Sequence, residues 1–104
     1  MSTPPALSDE ARQAALAKAA QARRVRADVK ARLKDGALSF PELLAAADDD
    51  EILAGTKILT ILESLPGVGK VKARRTMERI GIAESRRIRG LGDNQRRDLL
   101  EAFG

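Results

Sequence analysis

Apolar residues recur at helical intervals along most of the chain, and Gly, Pro and Asp mark the stops between them. Val25, Val29 and Leu33 repeat every four residues and form one stripe. No Gly or Pro interrupts the stretch from Ser8 to Lys34, and Asp35-Gly36 closes it. Ser8 can cap the free N–H groups, and Asp9 and Glu10 face the positive end of the helix dipole. The pattern predicts a helix over residues 8–35, about 40 Å long at 1.5 Å per residue. A compact domain of this size has a radius of gyration of about 13 Å, so one end of the helix must project. Upstream of Val25 the apolar positions are mainly Ala11, Ala14, Ala15, Ala19, Ala20 and Ala22. Alanine favours helix but buries little area, so residues 22–34 are expected to dock and 8–20 to extend as an arm. Residues 1–7, with Pro4 and Pro5 and no period, read as a mobile tail.

The remainder, residues 36–104, reads as a single compact unit that includes the docked end of the first helix. Ser39 and Glu42 have capping-box spacing around Pro41, and Phe40, Leu43 and Leu44 supply an apolar face. Asp48-Asp49-Asp50-Glu51 then starts a short helix holding Ile52 and Leu53. These acids lack the spacing and Gly of a calcium loop, so they read as a solvated turn and helix cap. Thr56 to Ser64 reads as a helix, with Ile58, Ile61, Leu62 and the following Leu65 at i, i+3, i+4, i+7. Leu65 to Lys70 is a turn. Lys70 to Ile80 is a helix with Ala73, Met77 and Ile80 on one face, stopped by Gly81. Residues 82–92 form a compact connection, and Asp93 is expected to cap a last helix whose Leu99, Leu100 and Phe103 return to the core. Setting Met1 aside, five of the Leu, Ile, Val, Met and Phe residues lie in 1–37 and twenty-one in 38–104, so the core belongs to the latter.

Composition narrows the chemistry. The 104 residues include 18 Ala and 13 Arg but no Cys, His, Trp or Tyr. Strand-forming aromatics are nearly absent, and the chain is expected to be all-α. Disulfides, Cys-ligated zinc, thiol nucleophiles and imidazole proton shuttles are excluded, and no enzymatic activity, metal or cofactor is expected. Stacking of unpaired bases on Trp or Tyr is unavailable. No run of about 18 apolar residues exists, and no basic segment followed by an apolar one opens the chain. A cytoplasmic protein without membrane contact is expected. The net charge of +4 hides three blocks. Residues 1–34 carry eight basic and three acidic groups, 35–56 no basic and six acidic, and 57–104 eleven basic and six acidic. Two basic regions flanking an acidic one suggest a directed electrostatic surface.

The chemistry concentrates in Ser64-Leu65-Pro66-Gly67-Val68-Gly69-Lys70-Val71-Lys72. Two Gly around one apolar residue permit a tight turn and close approach of backbone to a ligand. The helix that follows presents unpaired N–H groups and a positive dipole end, and Lys70 and Lys72 stand beside it, which points to phosphate. A nucleotide-binding P-loop does not fit, because Ser64 stands where its first Gly belongs and Val71 where its Ser or Thr belongs. Lys72, Arg75 and Arg79 form a basic stripe opposite the apolar one, the footprint of a helix laid between core and polyanion. Arg86, Arg87 and Arg89 repel one another without acidic neighbours to offset them all, and Arg suits phosphate and narrow minor grooves. Arg23, Arg24, Arg26 and Lys30 offer a second basic surface, able to touch a second nucleic-acid segment or to bend one. Few residues suit reading of bases, so any selectivity is expected to come from duplex shape.

The segments Leu65 to Lys70, Arg86 to Gly92 and Leu99 to Gly104 together resemble the actinobacterial integration host factor family, and the resemblance runs back through the basic first helix. It implies a helix–two-turn–helix DNA-binding domain preceded by a long helix. It further implies a nucleoid-associated protein that binds double-stranded DNA with little sequence preference, bends or compacts it, affects transcription and replication, and assists phage integration. The resemblance places DNA contacts in the turn, about 64–71, and in a lid, about 82–94, which adds Gly90, Gly92 and Asn94 to the candidates. The β-ribbon minor-groove protein that shares the name is unrelated, since this chain has no such strands. The same two-turn motif also resembles parts of bacterial glycosylases for oxidised bases and a small-subunit ribosomal protein family. The glycosylase reading fails for want of an N-terminal Pro and of Cys. Binding to RNA or the ribosome through the same turn stays open, as does a protein-docking role for the acidic segment 35–56. DNA as partner, no small-molecule substrate and a monomeric chain are the expectations.

Overall fold

The computed structural model describes residues 8–104, so the expected tail 1–7 lies outside the described residues. Among the described residues the chain forms helices and no strand. Helix α1 runs Asp9–Asp35, α2 Phe40–Ala47, α3 Glu51–Ala54, α4 Ile58–Ser64, α5 Gly69–Ile80 and α6 Asp93–Phe103, with a 3-10 turn at Ile88–Gly90 between the last two.

Local chemistry explains the boundaries. The Ala11 N–H donates to Ser8 Oγ at 3.2 Å, and Gly36 ends α1 at φ +82°. The capping box of α2 is complete: the Glu42 N–H donates to Ser39 Oγ at 3.2 Å, and Glu42 Oε1 accepts from the Ser39 N–H at 2.9 Å. The Ser39 N–H foremost, and the Ser39 hydroxyl after it, hold the Glu42 carboxyl below its ordinary range. Asp50 caps α3, accepting from Ile52 N–H at 2.9 Å.

Two expected boundaries are corrected. Helix α4 begins at Ile58, not Thr56, because Lys57 pairs with Arg87 in an isolated antiparallel bridge. The Ile58 N–H donates to Arg86 O at 2.9 Å and the Ile88 N–H to Thr56 O at 3.0 Å. Residue 93 does not cap α6 either. Gly92 is its N-cap, and Gln95 Oε1 reaches back to the Gly92 N–H at 3.1 Å.

The core is built as the periodicity predicts. Leu33, Phe40, Leu43, Leu44, Ile58, Ile61, Leu62, Met77 and Leu99 are essentially fully buried. Phe103 meets Phe40 edge to face, ring centroids 6.2 Å apart. On α5 the inward face includes Thr76, whose hydroxyl donates to Lys72 O at 2.8 Å, while Ile80 is only half-buried. Arg96 of α6 grips Asp48 at the C-cap of α2 with two hydrogen bonds of 3.0 and 3.1 Å. That contact holds the Asp48 carboxyl below its usual range, raises Arg96, and supplies the cation that the end of α2 otherwise lacks. Val29 and Leu33 of α1 are buried, while nearly every residue from 8 to 20 is exposed. The radius of gyration is 16.5 Å and the longest extent 57 Å, so the first half of α1 projects as an arm.

Candidate nucleic-acid interface

The turn between α4 and α5 has the geometry its glycines permit. Gly67 and Gly69 take φ +74° and +69°, and no described non-Gly residue has positive φ. A Cβ at either would meet nothing within 4 Å. The requirement is therefore conformational, and the space beside the backbone is open.

Helix α5 starts without a side-chain cap, unlike α1, α2 and α3. Among the described residues the N–H groups of Gly69, Lys70 and Val71 donate to no carbonyl outside the helix. They are the orphan donors of a helix N-terminus, exposed at the surface. Lys70 and Lys72 are exposed beside them. Among the described residues neither forms an ion pair, nor do Arg75 and Arg79, whereas Arg74 is taken up by Glu84 at 2.8 Å. Lys72, Arg75 and Arg79 line a groove together with Val68, Val71, Ala102 and Phe103. Val71 is 64% exposed.

Not every candidate faces outward. Ser64 and Leu65 are only 5% and 9% exposed, and the Ser64 hydroxyl donates to Thr60 O at 2.8 Å. Their side chains shape the turn and offer nothing to a ligand. Val68 is half-buried against the core, while Pro66, Gly67 and Gly69 are exposed.

The lid arginines divide their labour. Arg86 is half-buried and donates through Nη1 to Gly90 O at 2.7 Å and to Gln95 Oε1 at 3.0 Å. It braces the lid from inside. Arg87 is exposed, yet its guanidinium donates to Gly55 O. Arg89 is exposed and makes no hydrogen bond among the described residues, so it is the freest of the three. Gly90 gives Arg86 room, since a Cβ there would stand 2.9 Å from Arg86 Cδ. Gly92 and Asn94 are exposed at the start of α6.

Sequence reasoning missed what fastens the lid. The backbone bridge between Lys57 and Arg87 ties it to the start of α4. A one-pair bridge has no alternating pattern to reveal it. Sequence reasoning also missed Lys34, which lines a groove with Lys30, Gly69 and Lys70. Its signal was present: Lys34 follows Lys30 by four residues. Arg23 and Arg24 are exposed on α1, and Arg26 is half-buried.

Two helices joined by a double-glycine turn, with a lid bound to the first of them, define a helix–two-turn–helix protein. Residues 33–103 match the S13-like H2TH domain family. The chain is 54% identical to the integration host factor of Mycobacterium tuberculosis over 100 residues, covering 96% of this chain and 95% of that one. It is 52% identical to the integration host factor of Streptomyces coelicolor over 104 residues, covering 100% and 96%. The solved structure of sIHF bound to an 8 bp palindromic DNA superposes with a TM-score of 0.80 at 52% identity, covering 84% of this chain and 98% of that one. The chain belongs to the actinobacterial integration host factor family, a family of host factors and not of enzymes.

Proposed function

We propose that this chain is a nucleoid-associated protein that binds double-stranded DNA through its phosphate backbone, as a monomer and with little sequence preference. The uncapped, exposed N-terminus of α5 carries the reading: its free N–H groups and positive dipole end, with Lys70 and Lys72 beside them, form an anion site. The related sIHF, whose solved structure holds DNA, supports it. In this reading Pro66, Gly67, Val68 and Gly69 bring backbone up to a phosphate, and Lys70, Val71, Lys72 and Arg75 extend the contact along α5. Arg87 and Arg89 take the flanking backbone or minor groove, with Gly90, Gly92 and Asn94 presenting main chain beside them. Arg86 contributes chiefly by bracing the lid. Ser64 and Leu65 set the turn from beneath.

Contacts at turn and lid, a helix apart on one body, suit bending or compaction of the duplex. Through that deformation the protein would influence transcription, replication and phage integration. In this reading the side chains go to phosphates and the minor groove, so selectivity is left to DNA shape.

A gel-shift series with a labelled random duplex tests the assignment. Unlabelled duplex of unrelated sequence should compete as well as the labelled sequence. Better competition by structured RNA would move the assignment to an RNA- or ribosome-associated role.

A further inference from the structure

A groove between α1 and the turn is lined by Ala27, Lys30, Ala31, Lys34, Gly69 and Lys70, among others. On α1, Arg23, Ala27, Lys30 and Lys34 follow one another at i, i+4, i+7, i+11, so they share one stripe along the helix. Ala27 and Ala31 keep the wall of α1 low, and Lys30 and Lys34 are exposed on it. Among the described residues neither lysine forms an ion pair, while the nearby Arg32 is held by Asp28 at 3.2 Å. Glu63 is the acidic group on the groove wall, against Lys30, Lys34 and Lys70. The groove opens at Gly69 and Lys70, the residues at the start of α5 that face the anion site.

We propose that α1 extends the DNA track of the turn along one duplex and does not hold a separate one. The proposal rests on the DNA-binding reading above. The strand held at the start of α5 passes over Lys70 to Lys34, Lys30 and then Arg23. Arg23 to Lys34 spans about 16 Å of helix, long enough to follow successive phosphates of one strand. Arg24 lies about 100° around α1 from that stripe and is outside the track.

The test compares Lys30→Ala/Lys34→Ala, Arg24→Ala and the unaltered full-length chain. Salt titrations use one 25 bp duplex at excess DNA, where each protein meets a single duplex, and a pull-down of free duplex by immobilised duplex measures bridging. Both lysines are exposed, and an unchanged melting curve verifies the fold. The double variant should flatten the slope of log affinity against log salt by about 2, since each lost phosphate contact is worth about 0.9. Arg24→Ala should leave the slope unchanged. An unchanged slope in the double variant, with pull-down lost, would overturn the single track in favour of bridging. An unchanged slope with pull-down intact would remove α1 from the DNA surface altogether. If the unaltered chain shows no salt-dependent binding to either nucleic acid, the DNA reading itself fails, and that result is distinct from the others.

Discussion

Gly67 and Gly92 both lie in the proposed interface, but they are glycines for different reasons. Gly67 holds φ +74°, where an L side chain costs about 1–2 kcal/mol. Gly92 is extended at φ −73°, and a Cβ there meets only Gln95 Oε1 at 3.6 Å. Gly67→Ala should therefore lower the melting temperature by about 4–8 °C for each kcal/mol lost, and weaken DNA binding with it. Gly92→Ala should lower melting less, since it meets no backbone strain and gives up only the preference for Gly over Ala at an N-cap; calorimetry on the pair checks the contrast. A second residue-level test concerns Asp48. Its folded pKa is depressed by Arg96, so the contact stabilises the fold above the unfolded pKa, and that contribution is lost as pH falls through the folded value. Asp48→Asn should show a shallower loss of stability in acid than the unaltered chain. Equal acid curves would mean the pair contributes nothing to pH dependence. The glycines, the lysines and the caps Ser8 and Ser39 were legible in sequence because each acts through local backbone geometry. The burial of Ser64 was not, because its hydroxyl is satisfied by Thr60 within α4.

Among the elements, α5 and the lid carry the interface in different ways. Helix α5 presents backbone donors that need no side chain. The lid presents arginines whose availability depends on how it is fastened. The run Arg86, Arg87 and Arg89 reads in sequence as three equivalent contacts. In the fold Arg86 faces inward to Gly90 and Gln95, Arg87 reaches the Gly55 carbonyl, and Arg89 alone is unoccupied. Arg89→Ala should weaken DNA binding several-fold with melting unchanged. Arg86→Ala should lower both, by about 1–2 kcal/mol in stability, because it strips two hydrogen bonds from the lid. Parallel melting and binding measurements separate the two, and identical behaviour would contradict this division. The bridge at Lys57 and Arg87 explains why sequence overestimated α4 by two residues. Tertiary pairing claimed Thr56 and Lys57 before the helix could.

At the scale of the molecule, the two basic blocks read from sequence converge in part on one face. Lys30 and Lys34 of α1 meet Lys70 across a groove, while the acidic segment supplies α2 and α3 with caps and an ion pair. The length of α1 was legible because nothing interrupts it. The side of α1 that meets the turn was not, since it depends on how Val25, Val29 and Leu33 seat against the core. The central claim is that this surface holds phosphates and reads little sequence. Affinity for duplexes of unrelated sequence, measured across salt concentration, tests it most directly. With about six phosphates neutralised, log affinity should fall against log salt with a slope near −5, the same for every sequence. A flat response, or a steep preference for one sequence that survives high salt, would contradict it.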